Sequence, residues 1–471
     1  MVATLTGGLG LLGSTSTAPS TSSVATPVLL IEPQPGCNYT VYESGTTPMA
    51  VKASGAAVLG SGVDAAAFIS TLLASHETIC VSSGDYTVSS EIQVDHLQGV
   101  TLNLDQGAVM NASASSRQFI QQYVRGSLLL VNASTRTVVN GGDWIGPGRG
   151  RATVIRIQDG SNDTVVKGAV VSGAGWDGII VYDTYGASYN VSILDNLLQD
   201  NGRYGFQEYS NSSVMEMGTV VAGNYAIDNV VGGIYTNGVA GVSIRDNLVE
   251  NTVGDGPGMI GIGVTNGYNE SVVGNKVSHM RWFGIQAFYN NYTTIANNTS
   301  MFNSGGEDQS GITNDHSSFD TITGNVVKSN QGYGIYVERS WNVTIGGNTA
   351  DGNHEYGIEL NHGTIPEMGR ADIVNNECSF NEDGGIILNS VVDSTISANT
   401  CDDNPGGGIL LYNDPGQVGS TGNLVSGNWA SNLGTLPLTQ TYGIREFGSS
   451  DENTIVSNVT LNDTVGSVLL S

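Results

Sequence analysis

One pattern recurs at a fixed interval: GITNDH at 311–316, GIYVER at 334–339 and GIELNH at 357–362. Both steps, 334 − 311 and 357 − 334, equal 23 residues. Strand side chains alternate between two faces. In each copy the Ile therefore points one way, and the residues two and four places after the Gly point the other. A strict repeat of this length with one short strand per copy reads as stacked β-helix coils. Equivalent residues of successive coils then lie about 4.8 Å apart, the inter-strand spacing. Three outward columns follow: Thr313, Tyr336 and Glu359; Asp315, Glu338 and Asn361; His316, Arg339 and His362.

The period extends beyond these copies. Lead glycines Gly178, Gly205, Gly233, Gly261, Gly284, Gly311, Gly334, Gly357, Gly385, Gly408 and Gly443 fall at intervals clustering at 23 and at 27–28, so some coils carry a loop insertion. A second strand recurs as NVSI (190–193), NYTTI (291–295), DTIT (320–323), NVTI (342–345) and DSTI (393–396). Asn275, Asn298, Asn325, Asn348, Asn376 and Asn399 keep the same offsets. Such a series is expected to be a ladder of amides stacked at a tight turn.

A solenoid has one long core, so a chain of 471 residues need not divide into several globular domains. The 65 glycines and the Asn/Asp-rich turns suit short strands joined by tight bends. A formal net charge of −27, with only 16 Lys and Arg, argues against nucleic acid and against an anionic membrane surface. It suits cations, neutral glycans or an acidic surface kept soluble by its own charge, and it would repel a polyuronate. No run of about eighteen apolar residues is present to cross a membrane. The opening MVATLTGGLGLLG is somewhat apolar but has no Lys or Arg ahead of the run, like a degenerate signal sequence. The Ser/Thr-rich stretch 14–26 reads as a linker. The chain then divides into 1–27 (signal-like and linker), 28–143 (N-terminal cap and first coils) and 144–471 (coils).

Residues 28–60 read as loosely paired strands. Asp64 is placed to N-cap a helix whose apolar face is Ala65, Phe68, Ile69, Leu72 and Leu73. Strands TICV (78–81), YTVSS (86–90) and TLNL (101–104) follow. The order GVDAAAFISTLL, strand, SGDYTVSSEI, coils resembles the N-terminal cap of the pectate-lyase-like right-handed β-helix superfamily. That resemblance implies an all-β fold: a right-handed parallel β-helix with an N-terminal capping helix closing the core.

Of four cysteines, Cys378 and Cys401 are 23 apart and so occupy one position on adjacent coils, within the separation a disulfide tolerates. Buried thiols in a stack are the alternative. Cys37 and Cys80 flank the first helical segment and could make a second bridge. No CxxC or Cys/His cluster suggests zinc. Thirteen Asn-x-Ser/Thr triplets occur, which suits a secreted glycoprotein. The candidate acceptors are Asn38, Asn111, Asn132, Asn162, Asn190, Asn211, Asn269, Asn291, Asn342, Asn458 and Asn462. Asn298 belongs to the ladder and is expected to be inaccessible. Asn162, Asn190, Asn269, Asn291 and Asn342 take the place that Asp320 and Asp393 hold in other coils, where a short polar side chain is wanted with or without a sugar.

Stacking does not require charge on the outer face of the lead strand, yet three adjacent coils concentrate it there. Gln207 and Tyr209, Tyr235 and Asn237, and Gln286 and Phe288 precede them on that face. Ile387, Asn389, Leu410 and Tyr412 follow. Aromatic rings for sugar faces and amides and carboxylates for hydroxyls make a polysaccharide site; ordinary solvated charges are the alternative. Asp315 beside Glu338 would crowd two carboxylates unless a cation such as Ca²⁺ sat between them, with Asn361 as a third ligand. Glu338 and Glu359, about 8 Å apart by strand geometry, suit an inverting glycosidase pair. His316 and His362 exchange protons near neutrality, and Arg339 can hold a carboxylate.

The Tyr-Gly-x-x-x-Asp-His pattern resembles the alginate epimerases and lyases of the same superfamily, which move the C5 proton of a uronic acid with a Tyr, a His and an Asp. Here Ser310 precedes Gly311, Asn-Asp-His lacks the family's proline, and Tyr336 comes from the next coil. The pectinase hydrolase motifs Asn-Thr-Asp and Gly-His-Gly are absent. Two classes of function stay open. One is a secreted lyase or C5-epimerase on an acidic polysaccharide, with His316 or Tyr336 as base and an inverting hydrolase as the next enzymatic option. The other is a non-catalytic surface, adhesive or fibre protein able to self-associate.

Overall fold

The structure, a computed structural model, describes residues 33–44, 46–54, 58–59, 64–113, 126–148, 150–210, 218–252, 258–304, 309–361, 369–414, 416–433 and 440–469. Among these residues the lead strands form one parallel sheet of 15 strands, each pairing with the strand of the next coil. Each coil adds two further short strands, as Thr321–Thr323 and Val326–Lys328 pair with Thr344–Gly346 and Thr349–Asp351 of the next coil. Both series belong to a sheet of 27 strands, and the core is enclosed by the three strand series. Ile312 faces Ile335 and Ile335 faces Ile358 in register, and all three are wholly buried with Val337 and Leu360. Each such side chain contributes about 1.5–3 kcal/mol on burial, and the column repeats coil after coil.

The lead glycine is demanded by close approach. A Cβ at Gly334 would lie 2.4 Å from the carbonyl oxygen of Gly357 and 2.7 Å from Nδ2 of Asn353. The strand turns this position inward, and the alternation of faces starts only with the Ile that follows.

The asparagine series is a buried ladder and runs further than the six residues singled out by spacing, from Asn196 to Asn458. At Asn348 the backbone N–H and Nδ2 both donate to Oδ1 of Asn376 at 2.9 Å, and Nδ2 also donates to the Ile322 carbonyl at 2.9 Å. A second ladder stands five residues further along each coil, through Asn303, Asn330, Asn353, Asn381 and Asn404. Spacing would have shown it, since Asn325/Asn330 and Asn348/Asn353 repeat one offset.

Helix α1 (Ala65–Leu72) starts at Asp64, whose carboxylate accepts from the Ala66 N–H at 3.3 Å. Ala65, Ala66, Ile69 and Leu72 are buried, while Phe68 and Leu73 pack against the core half-buried. Strands Tyr39–Ser44, Thr47–Lys52, Thr78–Val81, Gly84–Val88 and Thr101–Ala112 occupy the stretches expected around it.

Two expectations are corrected. Cys378 and Cys401 do lie on adjacent coils, with the Cys378 N–H donating to Thr400 at 2.8 Å, but both are free thiols, fully buried. In-register parallel neighbours point their Cβ atoms the same way at about the strand spacing, whereas a disulfide wants them converging to about 3.8 Å. The bridge forms instead between Cys37 and Cys80, which share no column and whose Cα atoms are 5.8 Å apart. The second correction concerns Asp320. It does not share the place of Asn342, which belongs with Asn190, Asn269 and Asp393 at a left-handed turn residue (φ 52°, 56°, 55° and 51°). Asn162 and Asn291 sit one residue earlier, before Asp163 and Tyr292. Asp320 sits one residue later, is buried, and accepts from the Thr293 N–H at 2.6 Å.

Candidate functional site

The lead strands Phe283–Phe288, Ser310–Asp315, Tyr333–Glu338 and Tyr356–Asn361 carry the site. Backbone pairing sets its columns. Gln286, Thr313, Tyr336 and Glu359 are partners in sequence, and so are Phe288, Asp315, Glu338 and Asn361. The same columns continue back through Gln207 and Tyr235, and through Tyr209 and Asn237.

The two columns differ in access. Thr313, Tyr336 and Glu359 were expected to face solvent, but they are only 3%, 5% and 5% exposed. The cause is the residue before the lead glycine, which also lies on the outer face. Tyr333 stacks on Tyr336 with centroids 4.7 Å apart, and Tyr204 stacks on Tyr235 at 4.8 Å. Burial, with Glu359 and Glu355 adding to it, pushes the Tyr333 hydroxyl far above its ordinary range. The amide of Asn361 reaches the Tyr336 hydroxyl at 3.5 Å.

The second column is the open one. His316 Nδ1 meets Asp315 Oδ1 at 2.5 Å, with a quarter of the imidazole side chain accessible. Burial raises the Asp315 carboxyl, while the neighbouring His316 and Arg339 pull it back down. One coil further on, Arg339 lies 3.4 Å from Glu338. The carboxylates are thus matched by adjacent cationic or imidazole groups. Among the described residues no group of three or more His, Cys, Asp or Glu could hold a metal ion, and the Ca²⁺ expected between Asp315 and Glu338 has no support.

Rings line this column. Tyr289 lies 4.6 Å from the His316 ring, and Phe288 lies 4.4 Å from Tyr289 and 5.9 Å from His316. Tyr289, His316 and Arg339 all occupy left-handed backbone (φ 55°, 52° and 46°), where Asp159, Asn266 and Ser390 stand in other coils. Bulky side chains there cost conformational energy, and such outliers cluster at functional sites. Sequence reading missed Tyr289, although its place beside Phe288 was a usable signal.

The other expected residues are spread along the face. Tyr209 stacks on Tyr182 at 5.7 Å, Tyr412 on Phe447 at 4.6 Å, and the Asn237 amide reaches the Tyr235 hydroxyl at 3.4 Å. Towards the N-terminal coils Arg203 lies 4.9 Å from the ring centroids of both Trp176 and Tyr204, and Arg156 lies 5.3 Å from that of Tyr182. That cationic, aromatic stretch was also missed. His362 and Asn211 lie outside the described residues. Asn38, Asn111, Asn190, Asn269, Asn291 and Asn462 are exposed, and Asn132, Asn162 and Asn342 are half-buried. Asn458 is a ladder member, its Nδ2 donating to Val425 at 2.9 Å.

Residues 227–368 match a family model described as right handed beta helix region, and residues 361–466 match one described as periplasmic copper-binding protein (NosD). The described residues of that second stretch contain no histidine, and their two thiols, Cys378 and Cys401, are enclosed in the core. They do not make a copper site. No curated protein matches the chain in sequence. Among solved structures, the Dettilon tailspike protein is similar at 16% identity over 81% of this chain, with a TM-score of 0.42. The chain spans 63% of that tailspike. The periplasmic alginate epimerase AlgG is 18% identical over 84% of this chain and 77% of its own, with a TM-score of 0.41. The A-module of the Azotobacter vinelandii mannuronan C-5 epimerase AlgE4 is 16% identical over 86% of this chain and 93% of its own, with a TM-score of 0.38.

Proposed function

We propose that this member of the parallel β-helix superfamily acts on an acidic polysaccharide, as a lyase or C5-epimerase. One observation carries the reading: the His316–Asp315 pair at 2.5 Å, with a quarter of the imidazole side chain reaching solvent and Arg339 on the next coil. With Nδ1–H donated to Asp315, Nε2 holds the lone pair of a general base. Arg339 holds the uronate carboxylate, which makes the C5 proton more acidic. His316 takes that proton, and the C–H electron pair moves into the carboxylate system. In the lyase the C4–O bond then breaks, a C4=C5 double bond forms, and His316 returns the proton to the departing glycosidic oxygen. In the epimerase a water on the opposite face gives a proton to C5, and the protonated His316 returns its proton to the hydroxide left behind. Phe288 and Tyr289 supply apolar faces for the sugar rings.

Tyr336 is less suited as base because it is buried under Tyr333. Hydrolysis by Glu338 and Glu359 is disfavoured because Glu359 is only 5% exposed. A location outside the cytoplasm, extracellular or periplasmic, goes with this reading, and the Cys37–Cys80 disulfide supports an oxidising compartment.

The test is incubation with alginate, polygalacturonate and other polyuronates, following both ultraviolet absorbance of unsaturated products and deuterium uptake at C5 from heavy water. His316→Asn, which installs the residue type of the equivalent Asn266, should lower either rate about 10²–10⁴-fold with the thermal midpoint unchanged. Neither signal on any polyuronate would leave the non-catalytic surface or fibre role in its place.

A further inference from the structure

A second row of rings lies outside the His316 column. After each lead strand the chain bends before entering the second sheet, and Tyr268, Asn291, Ser318 and Trp341 are bridge partners at that bend. Tyr268, Tyr292, Phe319 and Trp341 come from four consecutive coils. Their centroids are 5.2, 5.0 and 6.4 Å apart in order. They are 48%, 47%, 43% and 43% exposed.

Nothing in the fold asks for them. Tyr292 and Phe319 have φ of 61°, at the left-handed turn residue that is Asn269, Asn342 and Asp393 in neighbouring coils. A bulky side chain there is a true backbone outlier, and with nearly half of each ring in water little burial compensates it. The arrangement therefore reads as a recognition surface.

We propose that this stripe binds a linear polysaccharide, whose pyranose rings pack against the exposed edges and faces of a row in which Tyr292 and Phe319 stack on each other and Tyr268 and Trp341 stand edge-on at either end. Three features single out that occupant. The stripe is one ring wide. At 150–250 Å² per aromatic side chain and nearly half exposed, it offers roughly 400 Å², well short of the roughly 800 Å² per partner of a stable protein interface. Its rings advance by about one coil spacing each, comparable to the advance of a hexose residue in an extended chain. Short polar side chains, Asn269, Asn291, Ser318 and Asn342, stand next to the ring residues at the same bend and can meet sugar hydroxyls, and the exposed Arg370 follows Asn342 at the same turn position. Binding here needs no catalysis and stands whether or not His316 acts as a base.

The experiment is affinity electrophoresis of the full chain, made in a bacterial host so that no sugar occupies Asn269, Asn291 or Asn342. The gels contain hydroxyethyl cellulose, glucomannan, dextran or alginate. The wild type and the His316→Asn variant should both be retarded by at least one of these. The double variant Tyr292→Asn, Phe319→Asn should lose affinity about tenfold or more, with its thermal midpoint unchanged or raised. If that pair fails to fold, Trp341→Ala is read the same way. Retardation of the wild type by none of the four, or undiminished retardation of the variants, overturns the proposal. So does a wild type that sediments as a dimer while the double variant sediments as a monomer, since the stripe would then serve a second copy of the chain.

Discussion

The Thr236 hydroxyl donates to the Glu270 carboxylate at 3.1 Å inside the solenoid, where both residues are at most 2% exposed. Glu270 is part of an interior row of polar groups. Thr219 donates to Glu208 at 2.7 Å, and Asp320 accepts from the Thr293 N–H. Burial pushes the Glu270 carboxyl up to about 8, with Thr236 lowering it and Glu208 and Asp320 raising it further. Burial likewise takes Asp320 up to about 7.

These shifts predict a stability that falls with rising pH. Below the unfolded values of 4.5 and 3.8 both states are protonated and the full stability is present. As pH rises the unfolded chain ionises first, and stability is lost until the folded groups ionise near pH 7 and 8. The loss should be on the order of a few kcal/mol. Denaturant titrations at pH 5 and pH 8.5 check it, and Glu270→Gln should flatten the difference. An equal midpoint at both pH values in the wild type would mean that these carboxylates are hydrated in the native protein.

Replacing Asn348 by Ala should cost about 1–3 kcal/mol. The substitution strands the Asn325 N–H and Nδ2 and the Ile322 carbonyl, which all bond to Asn348. Equilibrium unfolding of the variant measures the cost. A change below a few tenths of a kcal/mol would show that water replaces the rung.

Thiol titration of the native protein should find none reactive, and of the unfolded protein two. Cys378 and Cys401 are enclosed, and burial raises the Cys378 thiol well above its usual value. Reducing the Cys37–Cys80 bridge, which spans 43 residues, should lower stability by about 2–4 kcal/mol.

Arg339→Lys should separate binding from chemistry. Lysine keeps the charge but loses the planar fork that grips a carboxylate with two hydrogen bonds. KM for a polyuronate should rise about tenfold, a loss near 1.4 kcal/mol, with kcat less affected. Progress curves over a range of substrate concentrations decide. A fall in kcat alone would place Arg339 on the departing group.

The period and the columns were legible because in-register pairing converts a 23-residue offset directly into adjacency, as at Asp315 and Glu338. Access was not legible. Whether Glu359 faces water depends on Tyr333 and Tyr356, which reach the outer face only because the strand breaks its alternation at the lead glycine. The interior row was hidden for a related reason. Glu270 and Asp320 each follow a left-handed residue, and a shift of one position there exchanges outside for inside. The pair at Asp315 and His316 could be seen in the sequence as neighbours, but not the ring of Tyr289 against them.

Each rung of the asparagine ladder ties three successive turns together. Asn348 accepts from Asn325 and donates to Ile322 on the turn behind and to Asn376 on the turn ahead. A tensile load applied at one end of such a stack meets the same short set of bonds at every turn. The chain should peel away one turn at a time, in steps of 23 or 27–28 residues for most coils, each step giving only after its rung shears. Resistance to unwinding would then come from the asparagine rung added at each turn to the backbone bonds of the paired strands.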